Sequence, residues 1–309
     1  MGCTGIATTG LAAVTPGAAG TPCSTTGNEA SRFVLTMANP AQGPYYEGGN
    51  SNGSEVFGSA QTATYNGMVA SLNHRMSSSF VLLANYTWSH CIDLEDNEGD
   101  SGITEQNPSN LRAEKGDCGF DYRDIFNATL VASSNFPLQG LWGKVANHWQ
   151  IAPLVRAMDG TPFTVTSGVD NSLTDLGNDR PNVSNANVLY TKAKIESGIS
   201  TNAQYINASA FTMNPIGTFG DSARDAYRGP KYLQVDSALS RSFPVHDTLA
   251  LTLRLEAFNV LNHPDFVPPG SSGYIGSSTP LISTSFGQVK STVFNYGARI
   301  FQGALKFTF

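Results

Sequence analysis

From Thr62 to Phe309 the chain alternates apolar and polar residues in segments of about 10 to 14 positions, the period-two signature of a pleated strand. The clearest segment is Thr248 to Asn262, where Leu249, Leu251, Leu253, Leu255 and Ala257 share one face and Thr248, Thr252, Arg254 and Glu256 the other. A helix would scatter those leucines around its axis. The terminal segment repeats the pattern, with Phe301, Leu305, Phe307 and Phe309 against Gln302, Lys306 and Thr308. Lys231 to Phe243 sets Leu233, Val235 and Leu239 against Gln234, Asp236 and Ser240, and Asp124 to Phe136 sets Phe126, Ala128, Leu130 and Ala132 against Asn127, Thr129 and Ser133. Phe80 to His90 and Asn147 to Met158 alternate more roughly, and Tyr65 to His74 most weakly. This predicts seven strands; Arg32 to Met37 is an eighth candidate.

These segments exceed the five or six residues usual in a globular sheet, and tilted strands of about 10 residues cross a bilayer. The connections point the same way. Short turns near Arg75–Ser79, Pro137–Ala146 and Pro244–Asp247 alternate with long loops at Ile92–Arg123, Gly168–Pro230 and His263–Asn295. Short periplasmic turns and long external loops are the parity of an outer-membrane barrel. Aromatic residues gather near predicted strand ends, at Tyr86, Trp88, Trp142, Trp149, Tyr232, Phe243, Phe307 and Phe309, as interfacial girdles would require and as ordinary packing would also permit.

Composition sharpens this reading. Only 14% of the 309 residues are charged and 40% are hydrophobic, with Gly, Ser, Thr and Asn filling the difference. That suits a wall with one face in lipid and one in water better than a soluble core. The net charge of -6 speaks against a nucleic-acid partner. No stretch approaches the roughly 20 apolar residues of a membrane helix. Residues 1–60 are rich in Gly, Thr, Ser and Ala and read as an external loop region, with 61–309 as barrel strands and their loops. Met1 to Gly20 lacks the basic and apolar regions of a signal peptide and reads as a loop with coding sequence before it.

Candidate chemistry is sparse. Four cysteines allow three pairings. Cys3 with Cys23 and Cys91 with Cys118 each bracket a Gly-rich polar loop, so local disulfides are expected, with free thiols as the alternative. The acidic run Asp93, Glu95, Asp96, Glu98 and Asp100 has oxygen ligands enough for Ca²⁺ but lacks the glycine and closing glutamate of an EF-hand, and reads as a solvated external loop. The five histidines are dispersed, and no G-x-S-x-G occurs. No catalytic residue, metal site or cofactor is expected. Gln234, Asp236, Arg254 and Glu256 are expected to face the lumen, either toward a plug or in mutual pairs.

Several stretches resemble the TonB-dependent receptor family, in its Oar-like branch: FVLLANYTWSHC from Phe80, TPFTVTSGVDNSLTDLGNDRP from Thr161, YRGPKYLQVDSALSRSF from Tyr227, LRLEAFNVLNHPDF from Leu253 and SFGQV from Ser285. They cover roughly Thr62 to Phe309 in order. Gln302, Phe307 and Phe309 resemble the outer-membrane assembly signal at the chain's end, although Ala304 stands where glycine is favoured. The resemblance implies a barrel of about 22 strands around an N-terminal plug with a TonB-box, of which this chain would carry the C-terminal part. It also implies outer-membrane lipid, the barrel assembly machinery and, through the missing plug, TonB as partners, with an organic nutrient as cargo. The expected fold is thus an all-β, antiparallel, unclosed wall of seven or eight strands in a Gram-negative outer membrane, with no enzymatic activity. A structural or adhesive surface barrel is the alternative, and a soluble carbohydrate-binding sandwich a third reading.

Overall fold

The computed structural model describes residues 2–4, 15–17, 62–77, 79–95, 105–174, 177, 179–189, 203–246, 249–270, 277–293 and 297–309. Seven long strands form its wall: β1 (Ala63–Ser77), β2 (Phe80–Asp93), β3 (Asp124–Ser133), β4 (Trp149–Met158), β5 (Tyr232–His246), β6 (Leu249–Phe258) and β7 (Ile300–Thr308). Each pairs antiparallel with its neighbours in sequence, so the sheet is a meander running from β1 to β7. The sheet is not closed: among the described residues β1 pairs only with β2 and β7 only with β6. The candidate strand Arg32–Met37 lies outside the described residues. A small hairpin pairs Gly2–Thr4 with Thr15–Gly17.

The register carries each strand's alternation across the whole wall. On one face Phe301, Leu305 and Phe307 of β7 stand beside Ala257, Leu253 and Leu251 of β6. The row continues through Leu239 and Val235 of β5, Ile151 and Val155 of β4, Ala128 and Phe126 of β3, and Ala84 and Tyr86 of β2 to Leu72 and Ala70 of β1. The other face carries Gln302, Glu256, Arg254, Gln234, Arg156, Asn127 and Asn85. Because the side-chain period is two, a slip of one residue at any pair would put the oily row on the polar face. Large apolar side chains of the first face stay exposed, among them Leu72, Ile151, Leu255, Leu305 and Phe307. At about 3.3 Å per residue and a tilt near 45°, ten residues rise about 23 Å, close to the apolar band of an outer-membrane wall.

The core lies elsewhere. Phe163, Val165, Val188, Ile206, Ala210, Phe211 and Phe286 form one buried cluster, all from the connections β4–β5 and β6–β7. These segments are not plain loops. Pro162–Thr166 is the middle strand of a three-stranded sheet, antiparallel to Tyr227–Arg228 and parallel to Ser277–Pro280. Asn182–Val183 pairs with Phe211–Thr212, and Ala203–Gln204 with Gln288–Val289. Aromatic rings lock the cluster: Phe211 meets Tyr227 edge-on at 5.7 Å and Phe286 edge-on at 6.0 Å. Such pairs add about 0.5–1.5 kcal/mol beyond burial. The long connections thus fold into a cap with its own hydrophobic centre.

The expected turn at Pro137–Ala146 is likewise more than a turn. It contains the helix α1 (Gly140–Ala146), tucked so closely that a Cβ on Gly143 would fall 2.1 Å from the Leu138 carbonyl oxygen. Only glycine permits that approach.

Candidate functional site

Three polar assemblies and one crevice are candidates for function, and the cap positions most of them. The innermost assembly is a buried ion-pair network. Arg180 places its guanidinium on the Glu114 carboxylate, with Nη2 3.2 Å from Oε1, and its Nε donates to the Ser222 carbonyl at 2.7 Å. Gln106 bridges the same pair, donating its backbone N–H to Glu114 and accepting from the Arg180 backbone N–H at 2.9 Å. Arg224 binds Asp93 and Asp225 and donates Nε to the Glu114 carbonyl at 2.8 Å. Glu114 is 0% exposed, so neither it nor Arg180 could be buried without the other. The network ties the β2–β3 and β4–β5 connections to the end of β2.

A second assembly sits beside the disulfide. Cys91 of β2 is bonded to Cys118, with Cα atoms 5.4 Å apart, and the Cys118 backbone N–H donates to the Cys91 carbonyl at 3.1 Å. Gly116–Asp117 adds to the end of β2 there. Asp117 and Asp121 together receive Arg228 and Arg123, and His90 Nε2 lies 3.0 Å from Asp117. Cys91, Cys118 and Asp93 also lie close together, but both sulfurs are consumed in the bond. Of the acidic run considered for Ca²⁺, Asp93 is taken up by Arg224, while Asp96, Glu98 and Asp100 lie outside the described residues. So do Cys23 and the side chain of Cys3.

The third assembly is the polar face of the wall. Gln234 donates to both oxygens of Asp236 at 3.0 and 3.1 Å and accepts from the Tyr232 hydroxyl. Asp236 also accepts the Asn259 backbone N–H at 2.8 Å. Arg254 Nε donates to Glu256 at 2.6 Å, and Gln302 donates to the same carboxylate. Arg254 and Glu256 thus pair along one strand rather than across two. Arg156, Asn127 and Asn85 extend the stripe across β4, β3 and β2, bonded at 3.4 and 3.2 Å. Sequence reading placed Asn127 on a polar face but missed Arg156 and Asn85. Arg156 sits in a rougher alternation, and only the register shows that it faces Gln234. Gln302, read as part of an assembly signal, belongs to this stripe; Phe307 and Phe309 stand exposed on the other side of β7.

The crevice, of 630 Å³, lies where the cap overhangs the apolar face of the wall. Phe126, Ala157 and Leu233 supply the wall side, and Leu189, Tyr205 and Phe266 the cap side. Its polar edge holds the ion pair of Lys231 with Asp159, at 2.6 Å. Burial pushes the Tyr205 hydroxyl well above its ordinary pKa, so it stays protonated and donates to the Arg228 carbonyl at 2.8 Å. Asp265, behind His263, is pushed up from the ordinary carboxylate value, mainly by burial; the Leu233 N–H and His263 work against that shift. Such a volume, mostly apolar with a few converging polar groups, fits a medium-sized amphiphile.

A two-faced wall of long meandering strands, covered at one end by interlocked loops, is the geometry of an outer-membrane barrel segment. The family model of the outer membrane beta barrel domain matches residues 10–302 of the chain.

The chain belongs to the outer membrane beta barrel domain family.

No curated protein and no solved structure matches it. Membership of this barrel family gives the two faces their solvents, lipid for the apolar row and water for the stripe from Gln302 to Asn85. No helix among the described residues is long and apolar enough to cross a membrane, a test that says nothing of barrel strands.

Proposed function

We propose that this chain is the C-terminal part of the barrel of a TonB-dependent receptor of the Oar-like branch, taking up an organic nutrient across a Gram-negative outer membrane. The observation that carries the reading is the unclosed wall. Among the described residues β1 and β7 leave their outer backbone groups unpaired; lipid cannot satisfy such groups, so a barrel wall with these edges takes further strands to close. The segments that resemble the receptor family also supply buried residues of the cap, among them Phe163, Arg180, Phe266 and Phe286. In this reading Gln234, Asp236, Arg254 and Glu256 face the plug side, TonB acts through a plug upstream, and β7 with Phe309 engages the assembly machinery. The short turns lie in the periplasm and the cap outside the cell. No catalysis is assigned. A surface barrel whose cap is the working part is the second reading, favoured by the cap's packed centre.

Two adjacent substitutions on β5 test the lipid face. Leu239 lies on the apolar row between Leu255 and Ile151, whereas Ala238 lies on the polar face opposite Glu256. Leu239→Lys is expected to destabilise the folded chain in lipid by about 2–4 kcal/mol if near the midplane, and Ala238→Lys hardly at all. Equal effects in urea titrations from vesicles would defeat the membrane reading. Transport is tested separately. Cells carrying the complete gene should accumulate the nutrient only while TonB is present. Uptake that survives loss of TonB would leave the surface-barrel reading standing.

A further inference from the structure

At the end of the wall opposite the cap, the connection between β3 and β4 presents an apolar helix beside an unusual arginine. In α1, Leu141 and Trp142 are 74% and 76% exposed, and Val145, Phe136 and Leu138 are also exposed. The segment is held firmly despite this. Asn147 exchanges two hydrogen bonds with the Phe136 backbone at 2.6 and 3.0 Å, and Trp149 Nε1 donates to the Val145 carbonyl at 2.9 Å. The exposed side chains are therefore displayed by a fixed scaffold. They continue the apolar row of the wall, where Trp149, Ile151 and Leu239 follow.

Arg241 lies in that apolar row, cross-strand from Trp149 and Leu253. Its guanidinium is stacked against the Trp149 ring at 4.9 Å and the Phe243 ring at 4.7 Å. Nη2 donates to the Lys144 carbonyl, while Nε is sealed without an acceptor. Among the described residues no carboxylate meets it. No acidic residue occurs between Ile125 and Met158, and the one in the β5–β6 turn, Asp247, lies outside the described residues. A cation facing lipid without a counter-ion is costly unless an anion from the membrane supplies one.

We propose that Arg241 and Lys144 hold the phosphate of a phospholipid in the periplasmic leaflet, and that α1 lies along that leaflet with Leu141, Trp142 and Val145 in its acyl boundary. The inference rests on the membrane reading above. Charge complementarity and continuity with the lipid-facing row select the occupant: guanidinium and ammonium groups suit phosphate, and the exposed apolar residues suit acyl chains. The two aromatic rings fix the guanidinium in place, which lowers the entropy lost on binding.

The test uses the full chain refolded into vesicles of phosphatidylcholine with one-third phosphatidylglycerol, with bromine carried on either lipid in turn. One reporter retains Trp142 together with Trp149, whose ring and Nε1 the site uses (Trp88→Phe), with Trp142→Phe in the same background giving the share of Trp142 by difference; another retains only Trp88 (Trp142→Phe, Trp149→Phe), on the lipid-facing row of β2. Brominated phosphatidylglycerol is expected to quench Trp142 several-fold more than brominated phosphatidylcholine at equal mole fraction. Adding Arg241→Gln and Lys144→Gln should bring that ratio to about one and leave Trp88 quenching unchanged. Quenching of Trp88 without quenching of Trp142 would place α1 in water and overturn the proposal. A preference that persists in the double variant would overturn the phosphate site. If Trp88 itself escapes quenching, the wall is not in lipid, and the membrane reading fails together with this one.

Discussion

Replacing Arg180 by methionine removes the only side chain that forms an ion pair with Glu114 among the described residues and fills much of the same volume. Glu114 would keep the Gln106 N–H at 3.3 Å, a long bond for a carboxylate with no solvent exposure. The Ser222 carbonyl and Glu114 Oε2 would lose the donor that Arg180 gives them, and Glu114 Oε1 one of its two. Breaking one partner out of a buried pair costs about 3–5 kcal/mol. At 1.4 kcal/mol per factor of ten, that raises the population of the opened cap by roughly two to three and a half powers of ten. The loss is local, because the cluster around Phe163 and the wall share few side chains, so the cap should open while β1 to β7 stay paired. Hydrogen exchange read at the backbone N–H groups of Ser167 and Ser222, which donate to Asp179 and Pro181 carbonyls, should accelerate by that factor, and exchange in β6 should not change. The double variant Arg180→Met with Glu114→Met should recover much of the protection, since an apolar pair can replace a buried ion pair at little cost. If the single variant exchanges at the wild-type rate, or the double variant is the worse of the two, the network does not hold the cap as argued.

The remaining expectations concern the rim. Reducing the Cys91–Cys118 bond, whose partners are 27 residues apart, should weaken the loop between them by about 3.5 kcal/mol on the chain-entropy relation. Limited proteolysis after reduction should cut first between Leu94 and Gly116; an unchanged cleavage pattern would show that the salt bridges on Asp117 and Asp121 suffice alone. Asp265 has a raised pKa through burial, so its contribution to stability is fully present below its unfolded-state value and is lost as pH rises through its folded-state value. Melting curves of the folded chain across the acidic range should therefore show a loss of stability with rising pH that Asp265→Asn lacks. Identical slopes in both proteins would contradict the assignment. Deleting Phe309, 95% exposed at the end of β7, should leave the folded wall's stability almost unchanged and reduce its insertion by the assembly machinery, measured as folded protein in outer-membrane fractions.

The wall was legible because its physics is local and repetitive. Leu249 to Ala257 alternates with a period of two whatever its neighbours do, and the same holds for Phe301 to Phe309. Strand length and the sizes of the connections added the membrane scale and the alternation of ends. Which strands pair, and so which polar residues meet, was not local. Arg156 is the one charge between Gln150 and Met158, and only its register places it beside Gln234 and Asn127. The cap was illegible for a stronger reason. Phe163, Phe211 and Phe286 are scattered through segments whose periodicity is broken every few residues, and Glu114 and Arg180 are 66 positions apart. No window along the chain contains the information that they meet. Sequence alone therefore settled what the clearly alternating strands show to oil and to water, since that depends only on the backbone pleat. Tertiary structure alone decided that three loops close over one another, since their burial exists only after all three have come together.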